Sequence, residues 1–325
     1  MSICRIPDVT VLMGVYNGMP YLPQAVRSIL SQSYRNFEFI VVDDGSTDDT
    51  PLLLKSIDDD RLRYVRQCNS GHSIALNNGL KLARAPLIAR MDGDDISLHN
   101  RLAVQKSMFD AKPNLAIAST HYNLIDANDN VIKTIHDATS DAACRFRLAF
   151  TPAGLHPGFM FRRRFAESAG LYDTSLLYAE DYDFWVRLSK HGEIGNCPEV
   201  LLNYRSHPGQ ISVRKSHLQV SEASSIAGRY VAGIVNCIPE VIWRDLRNFY
   251  VGMTDEISER INISGIYFLL SRAFITKFGA SPELTDQIKL HKQKLRWKCL
   301  KKARSVLPDV FLSVRFLYHA MRLRF

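Results

Sequence analysis

The sequence predicts an α/β fold built on a mostly parallel sheet, followed by a basic helical region. Three observations carry this. Over residues 9–120, short apolar, β-branched runs alternate with segments of helical spacing, the order of βαβ units. Four of those runs stop abruptly at polar clusters, and open parallel sheets gather ligands beyond the carboxyl ends of their strands. Beyond residue 213 the alternation ends and the pattern becomes helical and basic.

Residues 9–15 read as a buried strand, broken by Tyr16-Asn17-Gly18. Residues 21–31 put Leu22, Ala25, Val26, Ile29 and Leu30 on one side of a helix. Strand 37–42 ends in Asp43-Asp44-Gly45-Ser46, and a helix at 50–56 and a strand at 62–66 follow. Loop 67–71 leads into a helix at 72–83, and strand 86–91 ends in Asp92-Gly93-Asp94-Asp95. A helix at 100–111 and a strand at 115–120 complete the regular run. Residues 121–135 then predict a hairpin turning at Ala127-Asn128-Asp129-Asn130. A strand at 158–162, a helix at 178–191 with acids at its start and a last strand at 200–204 close a body expected to span 1–212. Residues 213–325 are expected as a separate helical region.

The chain has 325 residues, with 41 Lys+Arg against 33 Asp+Glu, a net of +8. The charge is unevenly placed. Residues 1–212 hold 22 basic and 24 acidic side chains; residues 213–325 hold 19 and 9. Residues 287–325 alone hold 11 basic residues and one acid, Asp309. The body is therefore slightly acidic, and basicity says little about its chemistry. Six widely spaced cysteines without a CxxC pair argue against a disulfide scaffold or zinc knuckle and suit a reducing compartment. No leader pattern and no run of about 18 uncharged apolar residues occurs, so a cytoplasmic protein is expected. The absence of GxGxxG and of a Walker A motif argues against dinucleotide oxidoreductases and P-loop enzymes.

Four clusters could carry chemistry. In "VVDDGSTDDT", carboxylates at a strand end can accept from a base N–H or a ribose hydroxyl; helix capping explains one or two of the polar residues but not Asp43 and Asp44. In "RMDGDD", Asp92 and Asp94 can both face one hard cation, Mg²⁺ or Mn²⁺, although a polar turn gives the same letters. In "NSGHSIALNNGL", Gly71 can let the backbone approach a ligand, and a helix start can meet phosphate; an ordinary loop and helix is the plainer reading. In "YAEDYDFWVRL", Glu180, Asp181 and Asp183 beside Phe184 and Trp185 could hold a general base next to a stacking surface for a sugar. Helix-dipole stabilisation explains acids there equally well. His156 and His207 read as lone histidines, His207 gaining weight because it follows a strand.

In order, these pieces closely resemble the family 2 glycosyltransferases over residues 7–212. The resemblance implies a GT-A fold, a nucleoside-diphosphate sugar donor, UDP above others, a divalent cation (Mn²⁺ or Mg²⁺) and inversion at the anomeric carbon. Carried over, Tyr16 and Asn17 match the first nucleotide-contacting loop, and Asp43 and Asp44 fall where base and ribose are read. Asn69, Gly71 and Arg90 complete the implied donor site. Asp92 and Asp94 match the metal-binding DxD, with His207 at a position that can approach the metal or diphosphate. Asp181 falls on the catalytic base, with Glu180 beside it. The QxxRW-type motif and membrane helices of processive members are missing, so transfer of one sugar to a saccharide or lipid-linked acceptor, in surface polysaccharide assembly (lipopolysaccharide, O-antigen or capsule), is expected.

Two other classes compete. A nucleotidyltransferase also uses acidic metal ligands on α/β domains, but no Gly-rich, Lys-containing loop follows the first strand. A nucleic-acid-binding protein would use the basic tail, which has few interleaved aromatics in its most basic stretch; no nucleic acid is expected. Residues 287–325 instead mix apolar and basic side chains, the pattern of a helix resting on an anionic membrane at the inner face of the cell. An oligomer is compatible with all of this.

Overall fold

A computed structural model describes residues 6–210, 216–254, 261–305 and 310–323. Cys4, Asp309 and the expected boundary at 212/213 lie outside the described residues. The strands are β1 (Val9–Val15), β2 (Phe37–Asp43), β3 (Leu62–Arg66), β4 (Leu87–Arg90), β5 (Ile96–Ser97), β6 (Leu115–Ile125), β7 (Val131–Ile135), β8 (Met160–Arg162) and β9 (Glu193–Arg205). The helices are α1 (Leu22–Leu30), α2 (Thr50–Ser56), α3 (His72–Leu82), α4 (Arg101–Ala111), α5 (Asp141–Arg147), α6 (Arg163–Ala169), α7 (Glu180–Leu188), α8 (Ser216–Ala232), α9 (Glu240–Val251), α10 (Ile263–Phe278), α11 (Pro282–Ser305) and α12 (Val310–Arg322).

The chain divides into two compact units, Met1–Thr139 with Ala153–Arg214, and Ser140–Pro152 with Lys215–Phe325. The second unit thus takes in α5, a segment that composition alone leaves in the body.

In the first unit the strands run in the order β3-β2-β1-β4-β8-β6-β9-β5, with β7 on β6. Pairs β1–β2, β1–β4, β2–β3 and β6–β9 are parallel; β4–β8, β6–β8, β6–β7 and β5–β9 are antiparallel. Every residue of β1 and β2 is buried, as expected of central strands covered on both faces. Alternation then sorts the two faces. Val9, Val11, Met13, Phe37, Phe39 and Val41 pack with Ala25, Val26 and Ile29 of α1 and Leu102 and Phe109 of α4. On the opposite face α3 lies so close that a Cβ on Gly79 would meet Leu12 Cδ1 at 2.2 Å, which selects glycine there.

The second half of the sheet departs from the simple alternation. β9 runs from Glu193, well before residue 200, and pairs in parallel with β6 across register shifts near Thr120 and His121. Gly195 and Pro198 interrupt the apolar pattern, and hide this strand from a periodicity reading. The hairpin at β6–β7 forms, with Asp129 at φ 71° in its turn.

The second unit is helical among its described residues. Phe146 of α5 meets Phe274 at 5.2 Å and His291 at 5.7 Å between ring centroids. Trp243 Nε1 donates to the Ala149 carbonyl at 2.8 Å, and Arg247 Nε to that of Phe150 at 2.7 Å. These bonds satisfy carbonyls of the turn that follows α5. Among the described residues no helix is long and apolar enough to cross a membrane.

Candidate active site

Parallel pairing brings the strand-end clusters to one edge. Val15 lies opposite Asp43, Asp43 opposite Arg66, and Leu12 opposite Arg90. Asn17, at φ 52°, uses Oδ1 to accept from Thr47 N at 2.8 Å, while its own N–H donates to Ser46 Oγ at 2.9 Å. Tyr16 stands beside it, exposed. Asp43 is fully buried; Oδ1 accepts from Ser46 N at 2.8 Å and Oδ2 from the Tyr64 hydroxyl at 3.0 Å. Asp44 Oδ1 accepts from Gln67 Nε2 (2.7 Å) and Ser70 N (2.9 Å), and Oδ2 from Gly71 N (2.9 Å). Both acids therefore brace the loops at the carboxyl ends of β2 and β3. Each oxygen has two lone pairs, so these bonds leave acceptor capacity for a nucleoside. Gly45 sits at φ +80° with room for no Cβ, since Asn69 N would be 2.8 Å away. Asn69 and Gly71 are exposed beyond it.

The second cluster is held between strands. Asp92, Asp94 and Asp95 lie in the connection from β4 to β5, and β5 pairs with the end of β9, Ile96 opposite Asn203. That pairing delivers His207, whose Nε2 donates to Asp94 Oδ2 at 3.0 Å. One oxygen from each of Asp92, Asp94 and Asp95 falls within 4.8 Å of the others. Burial and the Asp92 charge push the Asp94 carboxyl up, and burial with its two neighbours pushes Asp95 further. Asp95 Oδ1 accepts from Arg205 N at 2.8 Å, while Oδ2 is buried without a partner. Converging hard oxygens that repel one another, one of them orphaned, fit a divalent cation. Asp92 and Asp94 remain partly exposed (27% and 31% of their side chains) and can reach it.

Arg90 links this cluster to a second one. It is 1% exposed, ion-pairs with Asp92, and donates through Nη2 to His72 Nε2 at 2.6 Å. Burial and Arg90 bring His72 down to about 4, so it is neutral and can accept. His156 shares a 3.0 Å hydrogen bond with the Tyr172 hydroxyl, and burial also keeps it neutral. Ligand-type atoms of His72, His156 and Glu180 approach within 4.8 Å of one another. The guanidinium already on His72 disfavours a second metal ion there.

Glu180 and Asp181 open α7, where the helix dipole favours carboxylates. Burial nevertheless raises both. Glu180 is pushed up to about 8, by burial and then by Asp181. Asp181 is pushed up to about 6 by burial, opposed by the Tyr182 N–H on its Oδ1 (2.7 Å) and by Arg90. Glu180 is thus raised further than Asp181, and of the two it is the one that keeps its proton more readily.

Part of the expected cluster belongs to the core. Phe184 and Trp185 are fully buried, Phe184 against Tyr172 (4.4 Å) and Phe161, Trp185 against Phe159 (4.8 Å). They offer no stacking surface, because positions i+4 and i+5 of α7 face inward. Asp183 is paired with Arg187 at 2.6 Å. Conversely, His72, His156 and Tyr172 enter the site without having been singled out for it. Only His72 carried a signal, following Gly71 at the ligand edge of the sheet.

Arg205 was also missed. Its side chain is 1% exposed and donates to the Asp94 carbonyl (2.8 Å), Asp129 Oδ1 (2.5 Å) and Gln24 Oε1 (2.8 Å), with its guanidinium 4.5 Å from the Tyr21 ring centre. It ties the carboxylate loop to α1 and to the β6–β7 turn. Arg205→Met is expected to cost about 1–3 kcal/mol, because the Asp94 carbonyl, Asp129 and Gln24 lose a charged donor. A thermal melt checks this; an unchanged melting temperature would show that the loop needs no such tie.

The family model for glycosyl transferase family 2 matches residues 10–170. The O-antigen biosynthesis glycosyltransferase WbnJ of Escherichia coli is 30% identical over 242 residues, 70% of this chain and 91% of that protein. An uncharacterized glycosyltransferase of Haemophilus influenzae is 29% identical over 71% of this chain and 76% of its own length. For one from Rickettsia prowazekii, 30% identical, the match spans 65% of the relative's length. Among solved structures, Staphylococcus aureus TarS 1-349 in complex with UDP-GlcNAc superposes with a TM-score of 0.63 over 96% of this chain and 92% of that one, at 17% identity.

Proposed function

The chain belongs to glycosyl transferase family 2 and has its GT-A-like fold, and from that premise we propose that it moves one sugar from a UDP-sugar to a hydroxyl of a saccharide or lipid-linked acceptor in surface polysaccharide assembly, with inversion. One observation carries the reading: Arg90 ion-pairs with Asp92 of the carboxylate cluster, donates to neutral His72, and acts through its charge on Glu180 and Asp181. Arg90 then couples a cation-binding cluster to the carboxylate that would serve as base.

Asp181 accepts the proton of the acceptor hydroxyl. The hydroxyl oxygen attacks the anomeric carbon opposite the diphosphate, and the pair of the breaking C–O bond leaves with the nucleoside diphosphate. Glu180, which keeps its proton more readily, donates a hydrogen bond and adds no second negative charge. Asp92, Asp94 and Asp95 would hold Mn²⁺ or Mg²⁺, with His207 giving up its bond to Asp94 to join them. A bound cation supplies countercharge for the leaving diphosphate. Asp43, Asp44, Tyr16, Asn17, Asn69 and Gly71 line the nucleoside end. The same reading has the enzyme working in the cytoplasm, at the inner face of the membrane.

A screen of nucleotide sugars with Mn²⁺ or Mg²⁺, reading released nucleotide, tests this. Release of nucleoside diphosphate supports it; pyrophosphate release would make the protein a nucleotidyltransferase.

The pH profile follows from Asp181. Arg90 on β4, Asp92 beyond it and Glu180 on α7 are the charged groups that act on it. Its carboxyl lies above the ordinary value, so the active carboxylate is lost as pH falls through about 6. The transfer rate should be half-maximal there and drop tenfold per unit below. A profile that stays flat to pH 4 would remove Asp181 as the base.

A further inference from the structure

The second unit has an outer face on which aromatic, aliphatic and cationic side chains alternate, and we propose that this face docks on an anionic lipid bilayer through α10 and α12 with the flank of α11. The inner row of α10 (Ile263, Tyr267, Leu270, Phe274) is buried in the unit. Its outer row exposes Phe268 (59%), Leu269 (43%) and Ile275 (40%) with Arg272 between them. α12 behaves alike: Phe316, His319 and Ala320 are buried, while Leu317 (42%), Tyr318 (50%) and Met321 (67%) face out beside Arg322.

The two helices meet at the amino end of α10. Arg315 donates to the Ile261 carbonyl at 3.4 Å and Ser264 Oγ meets His319 Nδ1 at 3.3 Å. On α11, Leu290 and Trp297 are exposed on a stripe that also holds Lys294 and Lys301. Cations sit over rings across the face: Arg272 at 5.9 Å from the Phe268 centre, Arg322 at 5.6 Å from Tyr318, Lys301 at 5.6 Å from Trp297.

Charge decides the occupant. Ile263–Phe278 and Val310–Arg322 contain no Asp or Glu, and α11 has none after Asp286. A second copy docking through the same face would set cations against cations. Single-stranded nucleic acid would use the rings but not Leu269, Ile275, Leu317 and Met321. An anionic headgroup layer matches the cations, the acyl boundary takes the aliphatic residues, and Trp and Tyr suit the interface between them. The sequence pointed to residues 287–325; the structure adds α10, whose outer apolar row is exposed to a similar degree. Docking needs no turnover, so its test is independent of the reaction proposed above.

The full chain should co-sediment with vesicles of phosphatidylcholine plus phosphatidylglycerol about tenfold more tightly than with phosphatidylcholine alone, less so at high salt. Phe268→Ser with Leu269→Ser, and separately Arg272→Glu with Lys277→Glu, should each lose that binding while melting as the wild type does. Equal binding to both vesicles, wild-type binding by both double variants, a dimer that the Ser variant dissociates, or tighter salt-sensitive binding to single-stranded RNA would each overturn the proposal.

Discussion

Asp181→Asn should lower kcat by about 10²–10⁴, the usual contribution of a positioned general base, with little change in the KM for the donor. The amide keeps an oxygen to accept the Tyr182 N–H now held at 2.7 Å, so the start of α7 survives and the loss is chemical. Glu180→Gln should cost far less, because Glu180 keeps its proton more readily than Asp181 and the amide replaces one neutral donor by another. The comparison discriminates between the two acids. If Glu180→Gln were the more damaging variant, the base and its neighbour would have to be exchanged. A wild-type rate for Asp181→Asn, measured by released nucleotide, would sink the assignment outright.

How much of this the sequence revealed depends on the range of the forces involved. Strands β1 to β4 and the helices between them were legible because burial on both faces imposes a local apolar pattern. Asp92 and Asp94 stood out because they follow β4, and Glu180 and Asp181 because they open the helical pattern of α7. The second half of the sheet was legible in part: the β6–β7 hairpin, β8 and the end of β9 were expected, while β5 and the first half of β9 were not. β9 pairs with β6 around Gly195 and Pro198, and β5 has two residues, so neither has a periodicity to read. The segment Ser140–Pro152 joined the helical unit through partners about a hundred residues away, such as Trp243 on Ala149 and Arg247 on Phe150. Phe184 and Trp185 show the opposite failure. Their proximity to Glu180 in sequence suggested a sugar platform, while the 100° step of a helix turned them into the core. Arg90 and Arg205 were visible as charges but not as braces, because their partners (His72, Asp129, Gln24) come from other elements. Asp43 and Asp44 organise the loops after β2 and β3 through side-chain hydrogen bonds, a role that the capping of the following helix did not suggest.

The second large effect concerns Asp94. Asp94→Ala should lower kcat/KM by about 10³ or more, since a divalent cation at a departing diphosphate supplies several kcal/mol. The stability of the metal-free protein should move the other way. Asp92, Asp94 and Asp95 place three carboxylate oxygens within 4.8 Å, and Asp95 is wholly buried. Removing the middle charge relieves that repulsion, so the variant without metal should melt no lower than the wild type, despite the lost His207 bond. Adding Mn²⁺ should then raise the melting temperature of the wild type and leave Asp94→Ala unmoved, because a cation stabilises only the state that binds it. The opposed signs separate a metal site from an acidic turn. In an acidic turn Asp94 serves mainly to hold His207; the variant would then melt lower, and Mn²⁺ would shift neither protein. Activity without any added divalent cation, persisting after chelation, would point the same way and would return Asp92 and Asp94 to the role of loop residues beneath Arg90 and Arg205.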